Sequence, residues 1–213
     1  MKVIDLTHAI KEGMPVYPGT QAPSLIPAAD YENDGFRETL LNMTTHTGTH
    51  IDAPAHIVPG RPTLDRLPAS QFIGKALAVD CRRLREGEAV TIACLAPYGE
   101  KADRADFLLF NLGWDSRWGS DAYFGDYPCL DDQVMDYIIA GRCKGVGFDV
   151  ISLDPVGGSV ARHRRLLSAR DVVIIENLTR LDQCGRDLFN FSCFPLSLEN
   201  ADGSPVRAVA WFD

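Results

Sequence analysis

Histidine is scarce in this chain, five among 213 residues, and positive charge is short: 21 Lys and Arg stand against 29 Asp and Glu, a net charge of −8. That deficit argues against nucleic acid and against an anionic membrane as partners, since both select for basic residues. A small-molecule substrate is expected instead. No run of residues reaches bilayer-spanning length, and the opening Met-Lys-Val-Ile-Asp-Leu-Thr-His alternates rather than forming the apolar core of a leader. A cytoplasmic protein is therefore expected. Cysteine occurs six times, at Cys81, Cys94, Cys129, Cys143, Cys184 and Cys193, but never as Cys-x-x-Cys and never with histidine at zinc-finger spacing. Free thiols follow. Repeats, low-complexity runs and linker-like segments are also missing, so the 213 residues, 46% of them hydrophobic, are expected to bury one core as a single domain.

The few histidines are concentrated. Residues 46–56 read His-Thr-Gly-Thr-His-Ile-Asp-Ala-Pro-Ala-His and hold three of the five. Histidine both binds metals and moves protons near neutral pH, so the cluster is read as a metal site. His50 and Asp52 share a face only on an extended chain, with α-carbons roughly 6.6 Å apart. His46 would stand about 13 Å from His50 on a straight strand, too far to share an ion. The chain must bend between them, and Gly48 is assigned that bend, with the hydroxyls of Thr47 and Thr49 to hold it. Pro54 ends regular pairing, and His56 beyond it reads as a nearby proton carrier rather than a ligand.

Strand signals occupy residues 3–6, 36–45, 74–80, 107–111, 145–150, 172–175, 188–195 and 206–212, with helices over 131–140 and 163–170. Together they predict an α/β fold with a mixed sheet whose strand ends and loops carry the site. Strand 36–45 is expected to deliver the histidines to the sheet, and Asp202-Gly203 to make a hairpin turn. Tyr17, between two prolines, is either a loop aromatic packed on the core or part of a substrate wall. Residues 112–128, with Trp114 and Trp118, form an irregular aromatic loop that lines a pocket, caps a core or makes a dimer contact. Asp149 and Asp154 are satisfied turn aspartates or supports for the site. His8, beside Asp5 and Thr7, is read as a structural residue or a support behind the site rather than as a ligand. Out along the helix from His163 and back along the strand to Glu176 can bring those two together. A carboxylate after four β-branched residues needs either a metal or an arginine to compensate its burial.

The motif His-x-Gly-Thr-His-x-Asp-x-Pro-x-His, with the later block from His163 to Glu176-Asn177-Leu178, resembles the putative cyclase family of metal-dependent hydrolases, which includes bacterial kynurenine formamidases and isatin hydrolases. The resemblance runs from the first strand to the last. It implies a swivelling β/β/α-like fold and a homodimer or homotetramer. It also implies that Asp52 and Glu176 bridge two zinc ions, His46 and His50 holding the first and His163 the second. Five nitrogen and oxygen ligands with two carboxylates suit two metals better than one, and manganese is compatible with the same set. An aromatic, usually tryptophan, contacts substrate in the family where Tyr17 stands here. The expected reaction is hydrolysis of an amide or formamide C–N bond by metal-activated water with His56 as general acid and base, N-formylkynurenine in tryptophan catabolism being the leading substrate. A cyclic amide such as isatin and a secondary-metabolite cyclisation are the alternatives. A non-catalytic metal-binding or small-ligand-binding protein is the reading from another class.

Overall fold

An uninterrupted apolar run can be a strand only if both its faces are covered, and Phe107–Asn111 is buried at every position. It lies in the middle of a nine-stranded sheet. In the computed structural model, which describes residues 1–212, the strands in chain order are β1 (Lys2–Asp5), β2 (Ser24–Ala29), β3 (Glu38–Asn42), β4 (His50–Asp52), β5 (Ile73–Asp80), β6 (Ala89–Val90), β7 (Phe107–Asn111), β8 (Cys129–Leu130), β9 (Gly145–Phe148), β10 (Val173–Glu176), β11 (Phe189–Ser192), β12 (Gly203–Pro205) and β13 (Val209–Phe212). The helices are α1 (Glu100–Arg104), α2 (Asp132–Ala140) and α3 (Ala161–Ala169). The sheet order is β1-β13-β11-β5-β7-β9-β10-β4-β12, parallel from β5 to β10 and antiparallel outside. This is the expected α/β architecture with a mixed, curled sheet of swivelling β/β/α type.

The pleat sends alternate side chains of β7 into two cores. Leu108 and Phe110 pack with Val134, Met135 and Ile138 of α2 and Leu166 and Leu167 of α3, while Phe107 and Leu109 pack with Ile51, Phe189 and Phe191 on the other face. Each such leucine or phenylalanine contributes about 1.5–3 kcal/mol by leaving water, which fixes the centre of the sheet and lets its edge carry polar groups. Asp131 caps α2 by accepting from the Val134 amide. Gly147 lets β9 pack closely, since a Cβ there would stand 2.7 Å from the side chains of both Leu109 and Leu178, which would have to shift.

Two expectations are corrected. The strand in 36–45 is β3, and it pairs only with β2 in a separate two-stranded arm rather than leading into the sheet. Every residue of β3 is exposed, so its apolar and threonine side chains join no buried core of this chain. The turn expected at Asp202-Gly203 is instead the entry to β12, which pairs antiparallel with β4 and closes the sheet edge. β11 and β13 do pair, but through a long excursion that inserts β12 beside the site. Among the described residues all six cysteines are free, and no helix is long and apolar enough to cross a membrane.

Candidate metal centre

The bend assigned to Gly48 is present: its φ is +67°, and Thr47 Oγ1 donates to the Thr44 carbonyl at 2.8 Å to hold it. Thr49 acts differently, donating to the Asn177 carbonyl at 2.6 Å and so tying the motif to the end of β10. Beyond the bend, β4 lies between β10 and β12, with His50 opposite Glu176 and Asp52 opposite Gly203. Pro54–His56 then forms a single 3₁₀ turn that swings His56 back over the strand.

These elements gather all the expected ligands. His46 Nδ1 stands 2.7 Å from Asp52 Oδ1, and His50 Nε2 stands 3.4 Å from both Asp52 Oδ1 and Glu176 Oε2. On the other side, His163 Nε2 is 3.6 Å from Asp52 Oδ2 and 3.2 Å from Glu176 Oε1. Each carboxylate therefore turns one oxygen toward His50 and the other toward His163. The outer nitrogens are committed: His50 Nδ1 donates to the Gly48 carbonyl and His163 Nδ1 to Asp154 Oδ2, both at 2.8 Å. That leaves both Nε2 atoms aimed at the carboxylates, as metal-ligating histidines require. Asp154 thus fixes the orientation of His163. Asp149, by contrast, is a satisfied turn aspartate accepting the amides of Leu112 and Trp114.

The electrostatics explain why something positive belongs here. Asp52 and Glu176 are 1% and 4% exposed, and among the described residues no lysine or arginine pairs with either. The arginine alternative for Glu176 is thereby removed. Burial works against the charge of Asp52, but His46, His163 and His50 hold its carboxyl well below the usual range. Glu176 is also lowered, against burial and repulsion from Asp52, by His163 and His50. Reciprocally, and again against burial, Asp52 with Asp202 raises His46, Asp52 and Glu176 push His50 up to about 10, and Asp154 foremost, with Asp52 and Glu176, holds His163 well above its ordinary value. The protons compensating the two carboxylates therefore sit on the histidine nitrogens that face them, and a divalent ion bound by the same atoms would displace them. The donor set fits a metal.

His56 differs from its neighbours. Burial foremost lowers its pKa despite the pull of Asp52, leaving a neutral imidazole 4.0 Å, ring to ring, from His46. His46, Asp52 and His56 also offer atoms close enough to share an ion, as do His50, Asp52 and Glu176. A cavity of about 450 Å³ opens onto His46, His50, His56, His163 and Glu176. Its lining also includes Tyr17, Ile57, Ile151 and Val160. Tyr17 thus faces the cavity, its hydroxyl fixed by accepting the Gly157 amide at 3.0 Å.

The aromatic loop does not line the cavity. Trp114 is buried and donates Nε1–H to the Tyr123 carbonyl, while Trp118 stacks on His8 at 3.9 Å. His8 is in this way packed against the aromatic loop. Asp202 was not anticipated: its Oδ2 is 3.0 Å from His46 Nε2 and 3.7 Å from His56 Nδ1, and Thr45 holds its other oxygen. The Asp-Gly pair signals a turn, and nothing local marks the carboxylate as part of a site some 150 residues upstream.

Comparison with known proteins accords with this geometry. The family model described as "Putative cyclase" matches residues 4–155. The chain is 27% identical over 209 residues to a kynurenine formamidase of Erythrobacter litoralis, covering 98% of this chain and 93% of that protein. It superposes on a structure described as a predicted metal-dependent hydrolase from Bacillus stearothermophilus with a TM-score of 0.74 and 28% identity, covering 98% and 97% of the two chains. Isatin hydrolase A of Ralstonia solanacearum shares the fold with a TM-score of 0.85 at 24% identity, over 98% and 91%.

Proposed function

Since the chain belongs to the cyclase family, we propose that it is a metal-dependent hydrolase of an amide C–N bond, its centre held by His46, His50, Asp52, His163 and Glu176. The observation that carries this reading is the pair of buried carboxylates, Asp52 and Glu176, each with one oxygen toward His50 and one toward His163. Carboxylates so disposed suit two ions, zinc foremost and manganese as the alternative. When bound, the metal supplies a Lewis acid for the carbonyl and a water acidic enough to attack near neutral pH.

The protein's own residues do the rest. His56, neutral and at the cavity edge, accepts a proton from the attacking water and returns it to the departing amine nitrogen. Asp154 keeps His163 in one orientation, and Asp202 stands against both His46 and His56. Tyr17 and the aliphatic wall receive an aryl group. The best substrate of this description is an aryl formamide such as N-formylkynurenine, which the kynurenine formamidase relatives support. A neutral cyclic amide such as isatin is the second reading. It is favoured by one observation: among the described residues no lysine or arginine lines the cavity to meet a substrate carboxylate. A homodimer or homotetramer is supported by the exposed Ile26, Leu40 and Leu41 on the β2–β3 arm, and light scattering tests it.

The test of the activity is to purify the protein without added metal, quantify zinc, manganese and iron per chain, and assay N-formylkynurenine and isatin before and after chelation. Metal in the protein with chelator-sensitive turnover is expected. Turnover of isatin alone selects the second reading, and no affinity for any of the three metals overturns the proposal.

A further inference from the structure

The residue after Glu176 has a backbone that asparagine and glycine tolerate best: Asn177 sits at φ +57°. It is 2% exposed, and every polar group it owns is engaged. Its amide donates to the Val150 carbonyl at 2.9 Å, and its carbonyl accepts from Thr49 Oγ1 at 2.6 Å. Its side chain bridges two parts of the molecule. Nδ2 donates to the Gly48 carbonyl at 2.8 Å, and Oδ1 accepts from the Tyr123 hydroxyl at 2.7 Å. Tyr123 is fully buried in the aromatic loop.

The Gly48 carbonyl is the atom that also receives the Nδ1 hydrogen of His50. A carbonyl can only accept, so both atoms facing it must be donors, and His50 is left with Nε2 toward Asp52 and Glu176. This carbonyl belongs to the one residue of the motif with a left-handed backbone, so neither a helix nor a ladder holds its peptide plane. The Asn177 amide does. Tyr123, by donating to Oδ1, prevents that amide from turning over and presenting oxygen to oxygen.

We propose that Asn177, locked by the Tyr123 hydroxyl, is a positioning residue of the metal centre, acting through the Gly48 carbonyl to aim His50. The inference rests on the metal reading above. It gives the aromatic loop a part in the site without any contact between that loop and the cavity. It also separates two reasons for an asparagine at 177: the backbone angle, which glycine satisfies equally, and the carboxamide, which glycine lacks.

Asn177→Gly and Tyr123→Phe make the test. Each protein is stripped of metal, its folding is verified by circular dichroism, and it is titrated with Co²⁺ while the visible absorption is followed, then with Zn²⁺ by calorimetry. Asn177→Gly should bind both ions about 10- to 100-fold more weakly, with a changed Co²⁺ spectrum, the usual consequence of losing a group that orients a ligand. Tyr123→Phe should shift in the same direction by less. Asn177→Asp, which restores the shape but cannot donate, should fail to rescue. Affinity within twofold of the parent for folded Asn177→Gly overturns the proposal. Should that variant not fold, Tyr123→Phe decides by the same limit. A parent protein that binds neither ion sinks the metal reading and this inference together, whereas a parent that binds and variants that bind equally well sink only the inference.

Discussion

Asp154 accepts the Nδ1 hydrogen of His163 at 2.8 Å and, with the same carboxylate, the backbone amides of Arg162 and His163 at 3.0 and 3.1 Å. One side chain thus orients His163, a proposed ligand, and caps α3, whose own preceding residue, Val160, offers no side-chain cap. Asp154→Ala should therefore show two losses at once. The cap accounts for about 1–2 kcal/mol of stability, read from denaturant unfolding of the metal-free protein. The freed imidazole should lower metal affinity about 10- to 100-fold, read as metal retained per chain after dialysis. Stability lost with metal retained would make Asp154 a helix cap and nothing more.

His50 and His56 should part company on substitution. His50 is buried among both carboxylates, and His50→Ala should abolish metal retention and turnover together. His56 lies at the cavity edge, and His56→Ala should keep its metal while turnover falls about 10²- to 10⁴-fold, the usual worth of a positioned proton carrier. Metal analysis beside the hydrolase assay separates the two. Loss of metal in His56→Ala would make it a ligand, a role its place within reach of His46 and Asp52 permits.

What could be read from the sequence was local. His50 and Asp52 face one way because strands alternate, and Gly48 bends because nothing else between His46 and His50 can. Even the meeting of His163 with Glu176 follows from a helix and the strand after it. Asp202 was hidden because β12 reaches β4 only through sheet pairing across the whole chain, and its Asp-Gly pair carries a stronger local signal for a turn. The arm of β2 and β3 misled for the opposite reason. Its alternation is real, but the face it implies joins no buried core of this chain. Asn177 stood out only as part of the block after Glu176 and Tyr123 only as one aromatic of the loop, since a buried hydroxyl and a buried amide become a network only once the loop and β10 are packed together.

His8 gives a pH dependence with a definite sign. It stacks on Trp118, its Nε2 is buried without a partner, and burial foremost lowers its pKa to about 4, Arg180 assisting and Asp115 opposing. Between the unfolded value of about 6.5 and the folded value of about 4, only the unfolded chain binds this proton. The contribution of His8 to stability is therefore full above pH 6.5 and is lost as pH drops toward 4. His8→Phe keeps a ring against Trp118 and removes the titration. Denaturation midpoints of the parent and the variant at pH 7 and pH 5 should show a smaller acid loss in the variant. Equal losses would mean that His8 is solvated in solution.

Gly203 is the least conspicuous part of the centre. It lies opposite Asp52 in the sheet, and a Cβ there would stand 2.5 Å from His46 Cε1 and 2.8 Å from Nε2. No side chain can be added without moving either β12, which carries Asp202, or the His46 ring. Gly203→Ala should therefore weaken metal binding although every ligand is intact, and should cost about 1–3 kcal/mol, the range for overpacking. The cause can be isolated in a double-mutant cycle. In a His46→Ala background the ring is gone, so adding Gly203→Ala should cost markedly less stability than it does alone. If the cost is the same in both backgrounds, the methyl group collides with something other than His46, and the close packing of β12 on that imidazole is not what glycine serves at this position.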